Sequence, residues 1–231
     1  MRDAKRLGFS GMDWLPSRLA WMAAVFTALL AGVGLAGPIT FLDTGQRLGQ
    51  TDSCAVALGD LSGDGSLDAL VAIVSSGGHY ALQTWLNNGK DVFSDGGITN
   101  DPLASIPTAI ALGDLNGDGK RDALVATDGA NRVWLNDGHG AVTLTSQALG
   151  SASTSAVALG DLDNDNDADA VFANVTGGQS QVWVNDGKST FTLAQDLPTT
   201  HGTDVALDYL NADNALDIYL VDAQGSDHVW L

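Results

Sequence analysis

The hydrophobic positions of this chain fall in short runs separated by clusters of Gly, Asn, Asp and Ser. Residues 55–58 and 69–74 are two such runs, and they lack the three-to-four residue spacing of an amphipathic helix. Short apolar runs bounded by turn residues are typical of β-strands. The pattern therefore predicts an all-β domain over residues 37–231.

The same order of runs recurs about every 50 residues, a period typical of propeller or solenoid repeats. Each repeat reads as a run before a polar loop, a run after it, a strand with a tryptophan, and a last strand. The tryptophans that mark the third strand are Trp85, Trp134, Trp183 and Trp230. Asn-rich turns ending in Gly follow at 87–89, 136–138 and 185–187, and such turns favour tight hairpins. The repeat predicts a β-propeller of about four four-stranded blades.

The two ends of this region suggest how the blades could close. The last repeat stops after its tryptophan strand, and residues 39–46 resemble a fourth strand without the first three. We therefore expect the N-terminal strand to complete the C-terminal blade, which would cover two sheet edges. Two alternatives stay open: two copies of the chain could pair into a larger ring as a homodimer, or the chain could be a fragment of a longer array.

The loop between the first and second strands of each repeat carries oxygen side chains at alternate positions. In the second loop, Asp114, Asn116, Asp118 and Asp122 stand at the first, third, fifth and ninth positions. Lys120 stands at the seventh position and would offer its backbone carbonyl. Gly119, at the sixth position, allows the positive φ that turns the backbone around an ion. This spacing matches the start of a calcium-binding loop.

Two other loops keep this spacing, and one departs from it. The first loop offers Asp60, Ser62, Asp64, Ser66 and Asp68, and the third offers Asp161, Asp163, Asp165, Asp167 and Asp169. The fourth keeps Asn211, Asp213, Asn214 and Asp217 but has Tyr209 in the first position. We expect Ca²⁺ in the first three loops and weak or no binding in the fourth.

Composition narrows the function further. The formal net charge is −18, and all 28 acidic residues are Asp. The absence of Glu argues against an EF-hand, whose loop ends in Glu. A chain this acidic repels the phosphate backbone, so nucleic acid is not an expected partner.

The N-terminal residues 1–36 differ from the rest of the chain. Basic residues, including Arg2 and Arg18, precede an apolar run over 19–36 that ends in small residues. This pattern predicts a secretory signal peptide cut after Ala36, with an uncleaved N-terminal membrane anchor as the alternative. The expected location is therefore secreted, periplasmic or on the cell surface, with membrane contact only through such an anchor.

The motif D-x-[DNS]-x-D-G-x-x-D occurs at 60–68 and 114–122, and with Asn166 in place of Gly at 161–169. With these three copies the chain resembles the FG-GAP/VCBS repeat family, which includes the repeats of the integrin α-subunit propeller. The resemblance implies a β-propeller with a Ca²⁺ ion between the first and second strands of a blade. It also implies that the ions stiffen the blades and that partners often bind elsewhere.

The sequence offers little sign of catalytic chemistry. Its histidines, His79, His139, His201 and His228, lie outside any zinc-ligand or triad spacing. We therefore expect no catalytic residue and no organic cofactor. The leading hypothesis is an adhesion or interaction scaffold that binds an extracellular protein or glycan. The alternative is a secreted carbohydrate-active enzyme, a lyase or hydrolase, that uses a pair of carboxylates on the same frame.

Overall fold

The computed structural model describes residues 40–74, 79–99 and 103–231. The predicted leader and its boundary after Ala36 lie outside these residues. The chain divides into two units, with the boundary between Gln46 and Arg47. The described residues are strands, turns and bends without any helix, so none of them forms a helix long and apolar enough to cross a membrane.

The strands of the second unit form four antiparallel sheets. Sheet I contains β1 (Ser53–Gly59), β2 (Asp68–Val74), β3 (Tyr80–Asn87) and β4 (Phe93–Ile98). Sheet II contains β5 (Pro107–Gly113), β6 (Asp122–Thr127), β7 (Asn131–Asn136) and β8 (Val142–Leu149). Sheet III contains β9 (Ser153–Gly160), β10 (Asp169–Thr176), β11 (Ser180–Asn185) and β12 (Phe191–Leu197). Sheet IV contains β13 (Gly202–Asp208), β14 (Asp217–Asp222) and β15 (His228–Trp230).

Each sheet is a meander in which consecutive strands pair antiparallel. The registers repeat from sheet to sheet: Gly59 pairs with Asp68, Gly113 with Asp122, and Gly160 with Asp169. Every one of these pairs closes an acidic loop at the same point of its sheet. The four-strand order predicted for each repeat is therefore confirmed in sheets I–III.

The core lies between successive sheets. The first strands contact one another in the order β1, β5, β9 and β13. Three apolar clusters fill the spaces between sheets, and a tryptophan from the third strand belongs to each: Trp134, Trp183 and Trp230. Trp134 is completely buried. Side-by-side sheets that pack through their faces give the propeller-like arrangement that the repeats predicted.

The closure predicted at the ends of the domain is not observed among the described residues. Residues 40–46 contain no strand, and sheet IV consists of three strands. Completion of the C-terminal blade by an N-terminal strand, and closure of a ring, therefore stay predictions.

Candidate metal centres in the acidic loops

The ninth position of every acidic loop is a buried aspartate that opens the second strand of its sheet. These residues are Asp68, Asp122, Asp169 and Asp217, and each is at most 1% exposed. Each carboxylate accepts a hydrogen bond from the backbone N–H of the loop's second residue. The donors are Leu61 at 3.0 Å, Leu115 at 3.1 Å, Leu162 at 2.9 Å and Leu210 at 2.7 Å. This aspartate therefore holds the start of the loop against the second strand.

The same carboxylate also reaches the third strand in sheets I–III. Its other oxygen accepts the backbone N–H of Asn87, Asn136 or Asn185, each at 2.8 Å. The three asparagines end β3, β7 and β11. One buried carboxylate thus joins the acidic loop to two neighbouring strands, and charge-assisted hydrogen bonds of this kind are among the stronger ones in proteins.

The first-position aspartate folds the rest of the loop around itself. Asp114 accepts hydrogen bonds from the backbone N–H groups of Gly117 at 2.8 Å, Asp118 at 3.2 Å and Gly119 at 2.8 Å. Gly119 has a φ of +81°, as its sixth position predicted. In the third loop Asn166 takes this role with a φ of +72°, and its N–H lies 3.0 Å from Asp161.

The folded loops bring carboxylates together in two places. Oxygens of Asp114, Asp118 and Asp122 lie within 4.8 Å of one another, and so do oxygens of Asp161, Asp163 and Asp169. Three oxygens this close are within reach of one calcium ion, which takes oxygen ligands at about 2.3–2.6 Å. Asn116 adds an amide oxygen to the second loop, where it accepts the N–H of Asp118 at 3.0 Å. The donor set therefore fits a hard divalent cation.

The first loop is arranged differently. Among the described residues, Asp60, Asp64 and Asp68 do not form a comparable carboxylate cluster. The hydroxyl oxygen of Ser62, at the third position, is buried and has no hydrogen-bond partner. A buried hydroxyl without a partner is costly, and an ion in this loop would supply one. The ligands assigned to this loop stay predictions.

The side chain at the seventh position lies against a glycine of its own sheet. A Cβ built on Gly89 would meet the Ser66 hydroxyl at 2.9 Å, and one built on Gly138 would meet the Lys120 side chain at 2.8 Å. Asp167 lies against Gly187 in the same way. All three glycines belong to the turn between the third and fourth strands. That the backbone carbonyl of the seventh residue binds an ion stays a prediction.

The charges in these loops shift several pKa values. Burial raises the pKa of Asp122 and Asp169, although hydrogen bonds from Asn136 and Asn185 oppose the shift. Desolvation and repulsion by Asp165 and Asp161 raise the pKa of Asp163. Desolvation would raise the pKa of Asp118, but the hydrogen bonds from Lys120 and the positive charge of Lys120 outweigh it, so the pKa of Asp118 is lowered.

The Lys120 ammonium lies 3.2 Å from an Asp118 carboxylate oxygen. This exposed pair places a cation of the chain itself beside a predicted calcium ligand. Bound calcium would share Asp118 with Lys120, so the lysine is expected to lower the affinity of the second loop.

The fourth loop keeps the hydrogen bonds of the ninth-position aspartate, but its described residues form no carboxylate cluster. Asp217 binds the N–H groups of Leu210 and Asn211, and Asp213 binds the N–H of Ala215 at 3.0 Å. Tyr209, in the first position, is 60% exposed. No carboxylate cluster forms among the described residues of this loop.

The asparagines that end the tryptophan strands make contacts beyond the hairpin turns that the sequence predicted. The side-chain amide of Asn136 donates to the carbonyl of Leu61 at 3.0 Å, and that of Asn185 donates to Leu115 at 2.9 Å. Each therefore fastens its own sheet to the acidic loop of the preceding sheet. The signal in the sequence was an Asn at the same phase of three repeats, but nothing local shows which loop it contacts.

A family comparison identifies the repeat. The model of the family described as FG-GAP-like repeat matches residues 60–125 and 114–172. The matched stretch contains the first three acidic loops, β2 to β4 of sheet I, all of sheet II, and β9 with the start of β10 in sheet III. No curated protein sequence is significantly similar to the chain.

Solved structures share the fold at low sequence identity. BBS1N, in a crystal structure of its complex with ARL6DN soaked with lead, is 14% identical with a TM-score of 0.54. The alignment covers 83% of this chain and 57% of that one. This likeness supports the propeller-like fold alone.

Two further structures are less similar. An Agrocybe aegerita lectin, solved for its recognition of non-reducing terminal N-acetylglucosamine, is 26% identical over 59% of this chain and 36% of its own, with a TM-score of 0.41. The Photorhabdus luminescens Tc holotoxin pore is 15% identical over 84% of this chain and 12% of its own, with a TM-score of 0.36. The chain thus spans less than two thirds of each of these three structures.

Proposed function

Because this chain is an FG-GAP-like repeat protein, as residues 60–172 show, we propose that it is a calcium-stiffened scaffold for binding other macromolecules. The propeller-like fold supports an interaction role, since such frames present edges and faces to partners. In this proposal the protein works outside the cytoplasm, where calcium is abundant, and its partner is a protein or a glycan.

The observation that carries the calcium part of the proposal is the pair of carboxylate clusters in the second and third loops. Without a cation, three carboxylates at this distance repel one another, and the raised pKa of Asp163 reflects that repulsion after desolvation. A divalent ion removes the repulsion and joins the loop to the strand that follows it. Its binding free energy then adds to the free energy of unfolding.

The cluster of the second loop sits where an ion would stiffen the contact between two sheets. Asn136 connects the first loop to sheet II, and Asn185 connects the second loop to sheet III. A loop held rigid by an ion therefore also holds the contact between two sheets. Calcium in the second loop would order the Leu115 carbonyl that Asn185 binds, and thereby the spacing of sheets II and III.

Titration calorimetry with calcium, combined with thermal unfolding in calcium and in EDTA, tests this proposal. We expect saturable binding in the sub-millimolar to millimolar range typical of extracellular calcium modules. We also expect the melting temperature to rise by several degrees in calcium. Magnesium at the same concentration is the control, because it demands a smaller and more regular site. The absence of binding heat and of any thermal shift at millimolar calcium would refute the proposal.

A further inference from the structure

The first strand of each sheet packs through two different sides. In β5, Ile110 and Leu112 join the apolar cluster shared with sheet I. In β9, Val157 and Leu159 join the cluster shared with sheet II, whereas Ala156 and Ala158 join the cluster shared with sheet IV. Large side chains therefore point to the preceding sheet, and small ones point to the following sheet. We call these the donor side and the acceptor side of a first strand.

The acceptor side follows one pattern in three sheets, Ala-x-Ala-x-Gly. It occupies 55–59 in β1, 109–113 in β5 and 156–160 in β9. The closing glycine is required by its neighbour: a Cβ on Gly59 would lie 2.8 Å from Leu112 Cδ1, and one on Gly113 would lie 3.0 Å from Leu159 Cδ1. The leucine of the following sheet thus fills the space that any side chain at this position would need.

The donor side of sheet I is exposed among the residues that the structure describes. Val56 and Leu58 are both 62% exposed, and Leu67, at the eighth position of the first acidic loop, is 58% exposed. Their counterparts are packed: Leu112 and Leu159 lie in clusters, and Leu216, the counterpart of Leu67, approaches Gly160. Sheet I therefore presents an apolar surface, Val56, Leu58 and Leu67, whose equivalents always meet an acceptor side. We call it the sheet I donor surface.

The acceptor side of sheet IV does not match that surface. Asp204 stands where the other sheets have the first alanine, and Asp208 stands where they have glycine. Both aspartates are exposed. A leucine docked here would meet the Asp208 side chain. It would also desolvate two carboxylates that accept one neighbouring N–H each, Asp204 from Val205 and Asp208 from Tyr209, and burying charges with so little compensation is unfavourable. The acceptor sides of sheets I–III are already covered by their own neighbours, so a second copy of this chain offers none.

We propose that the sheet I donor surface docks onto the first strand of an FG-GAP-like repeat in a different protein, one with an uncovered Ala-x-Ala-x-Gly side. The inference names a partner class for the scaffold role and rests on that role. It does not depend on calcium binding. The two aspartates of sheet IV keep copies of this chain from joining head to tail, as charged residues protect exposed edges elsewhere.

The test converts sheet IV of this protein into the missing acceptor. The probe is the full chain with Asp204→Ala, Asp208→Gly and Leu58→Glu; the last change stops the probe from binding itself. Light scattering after size exclusion at about 0.15 M salt, where surface charges are screened, measures the mass of each protein and of their mixture. We expect the wild type alone and the probe alone to be monomers, and their mixture to form a 1:1 complex.

Matched variants of the wild type identify the surface. Leu58→Glu or Val56→Glu in the wild-type partner should abolish the complex. Leu193→Glu, which changes another exposed leucine on β12, should leave the complex intact. Circular dichroism checks that each variant folds, and if the triple probe does not fold, Asp208→Gly with Leu58→Glu replaces it.

Three results would overturn the inference: a folded probe that forms no complex, a complex that survives Leu58→Glu, or a wild type that dimerises by itself through this surface. The calcium proposal fails independently. A complex that forms although calorimetry shows no calcium binding would refute the calcium proposal alone, and calcium binding without a complex would refute the docking inference alone.

Discussion

The second and fourth acidic loops share the hydrogen bond that anchors each loop to its sheet, and they differ in the side chains at the predicted ligand positions. In both, a buried aspartate at the ninth position accepts the N–H of the loop's second residue, at 3.1 Å for Asp122 and 2.7 Å for Asp217. In the second loop, Asp114 also binds three backbone N–H groups and joins a carboxylate cluster. In the fourth, the exposed Tyr209 stands in that position.

The difference separates two roles that the repeat motif combines. Since the fourth loop keeps its shape without the first ligand, the ninth-position aspartate is sufficient to anchor the loop to its sheet. The first, third and fifth positions then decide whether the loop gathers enough charge for an ion. Structural and ion-binding aspartates should therefore respond differently to substitution.

The largest expected effect is the loss of a ninth-position aspartate. Asp122→Ala leaves the N–H groups of Leu115 and Asn136 without acceptors, and Asp217→Ala does the same for Leu210 and Asn211. Each unsatisfied donor in a buried site costs about 1–3 kcal/mol, so Asp122→Ala should lose roughly 2–6 kcal/mol. Asp217→Ala should lose less, because Leu210 is 50% exposed and water can satisfy its N–H group. Urea unfolding in EDTA measures the loss without a contribution from calcium.

Asp204→Ala is the control for these two variants, because Asp204 is exposed and substitutions at such positions usually change stability by less than about 0.5 kcal/mol. If Asp217→Ala were as harmless as Asp204→Ala, the ninth position would anchor only the loops that also bind an ion, and the proposed separation of roles would be wrong.

The next effect concerns the fifth position and appears only with calcium. Asp118 belongs to a carboxylate cluster, whereas Asp213 has no such partners among the described residues. Asp118→Ala should therefore remove part of the calcium-dependent rise in melting temperature, and Asp213→Ala should leave it unchanged. Scanning calorimetry of both variants in calcium and in EDTA makes the comparison. Equal losses of the calcium-dependent rise would contradict it.

The reverse substitution sharpens the same comparison. Tyr209→Asp restores the first ligand of the fourth loop, beside Asn211, Asp213 and Asp217. We expect one additional calcium ion per chain in titration calorimetry. Tyr209→Ala serves as the control, because it removes the ring without adding a ligand. An unchanged stoichiometry in Tyr209→Asp would show that the fourth loop lacks more than its first ligand.

Local spacing predicted much of this arrangement. The strand order, the acidic loops between first and second strands, and the turn at Gly119 follow from residues close together in sequence, and the structure has them. The role of Asn136 did not follow, because its partner Leu61 is 75 residues away and the amide carries no mark of that contact. The difference in burial between Asp122 and Asp118 could not be predicted either, since burial depends on the packing of neighbouring sheets.

The ends of the domain show the same limit. Residues 39–46 read as a strand from composition, yet a strand needs a partner edge, and residues 40–46 have no strand in the structure. The sequence already shows that Asp208 stands where the other three sheets have glycine. The meaning of this difference became clear only when the structure placed Leu112, Leu159 and Leu207 against the corresponding glycines.

A smaller effect should appear as a change of calcium response with pH. Burial raises the folded-state pKa of Asp122 and Asp169 above the usual value of about 3.9. In the ion-free protein the folded state thus holds these protons more tightly than the unfolded state, so their contribution to stability falls as pH rises through this window. Calcium requires ionised carboxylates, so its stabilising effect should grow as pH rises through the same window.

Thermal unfolding with and without calcium, from about pH 4 to neutral pH, measures this dependence. The calcium-dependent rise in melting temperature should be nearly lost at the acidic end and complete near neutrality. A rise that stays constant across this range would show that ionisation of Asp122 and Asp169 is not linked to the ion.

The smallest expected effect comes from the seventh position, where the second loop has Lys120 and the first has Ser66. The Lys120 ammonium lies 3.2 Å from Asp118 and competes with an ion for that oxygen. Exposed pairs of this kind contribute about 0.2–1 kcal/mol, so Lys120→Ser should raise the calcium affinity of the second loop by roughly 1.4-fold to fivefold. Stability in EDTA should hardly change, because the pair is exposed and its loss leaves no buried group without a partner.

Titration calorimetry at low and high salt measures the gain in calcium affinity, which should shrink as salt screens the ammonium. An affinity that falls on removing the lysine would mean that its side chain supports the loop rather than competing with the ion.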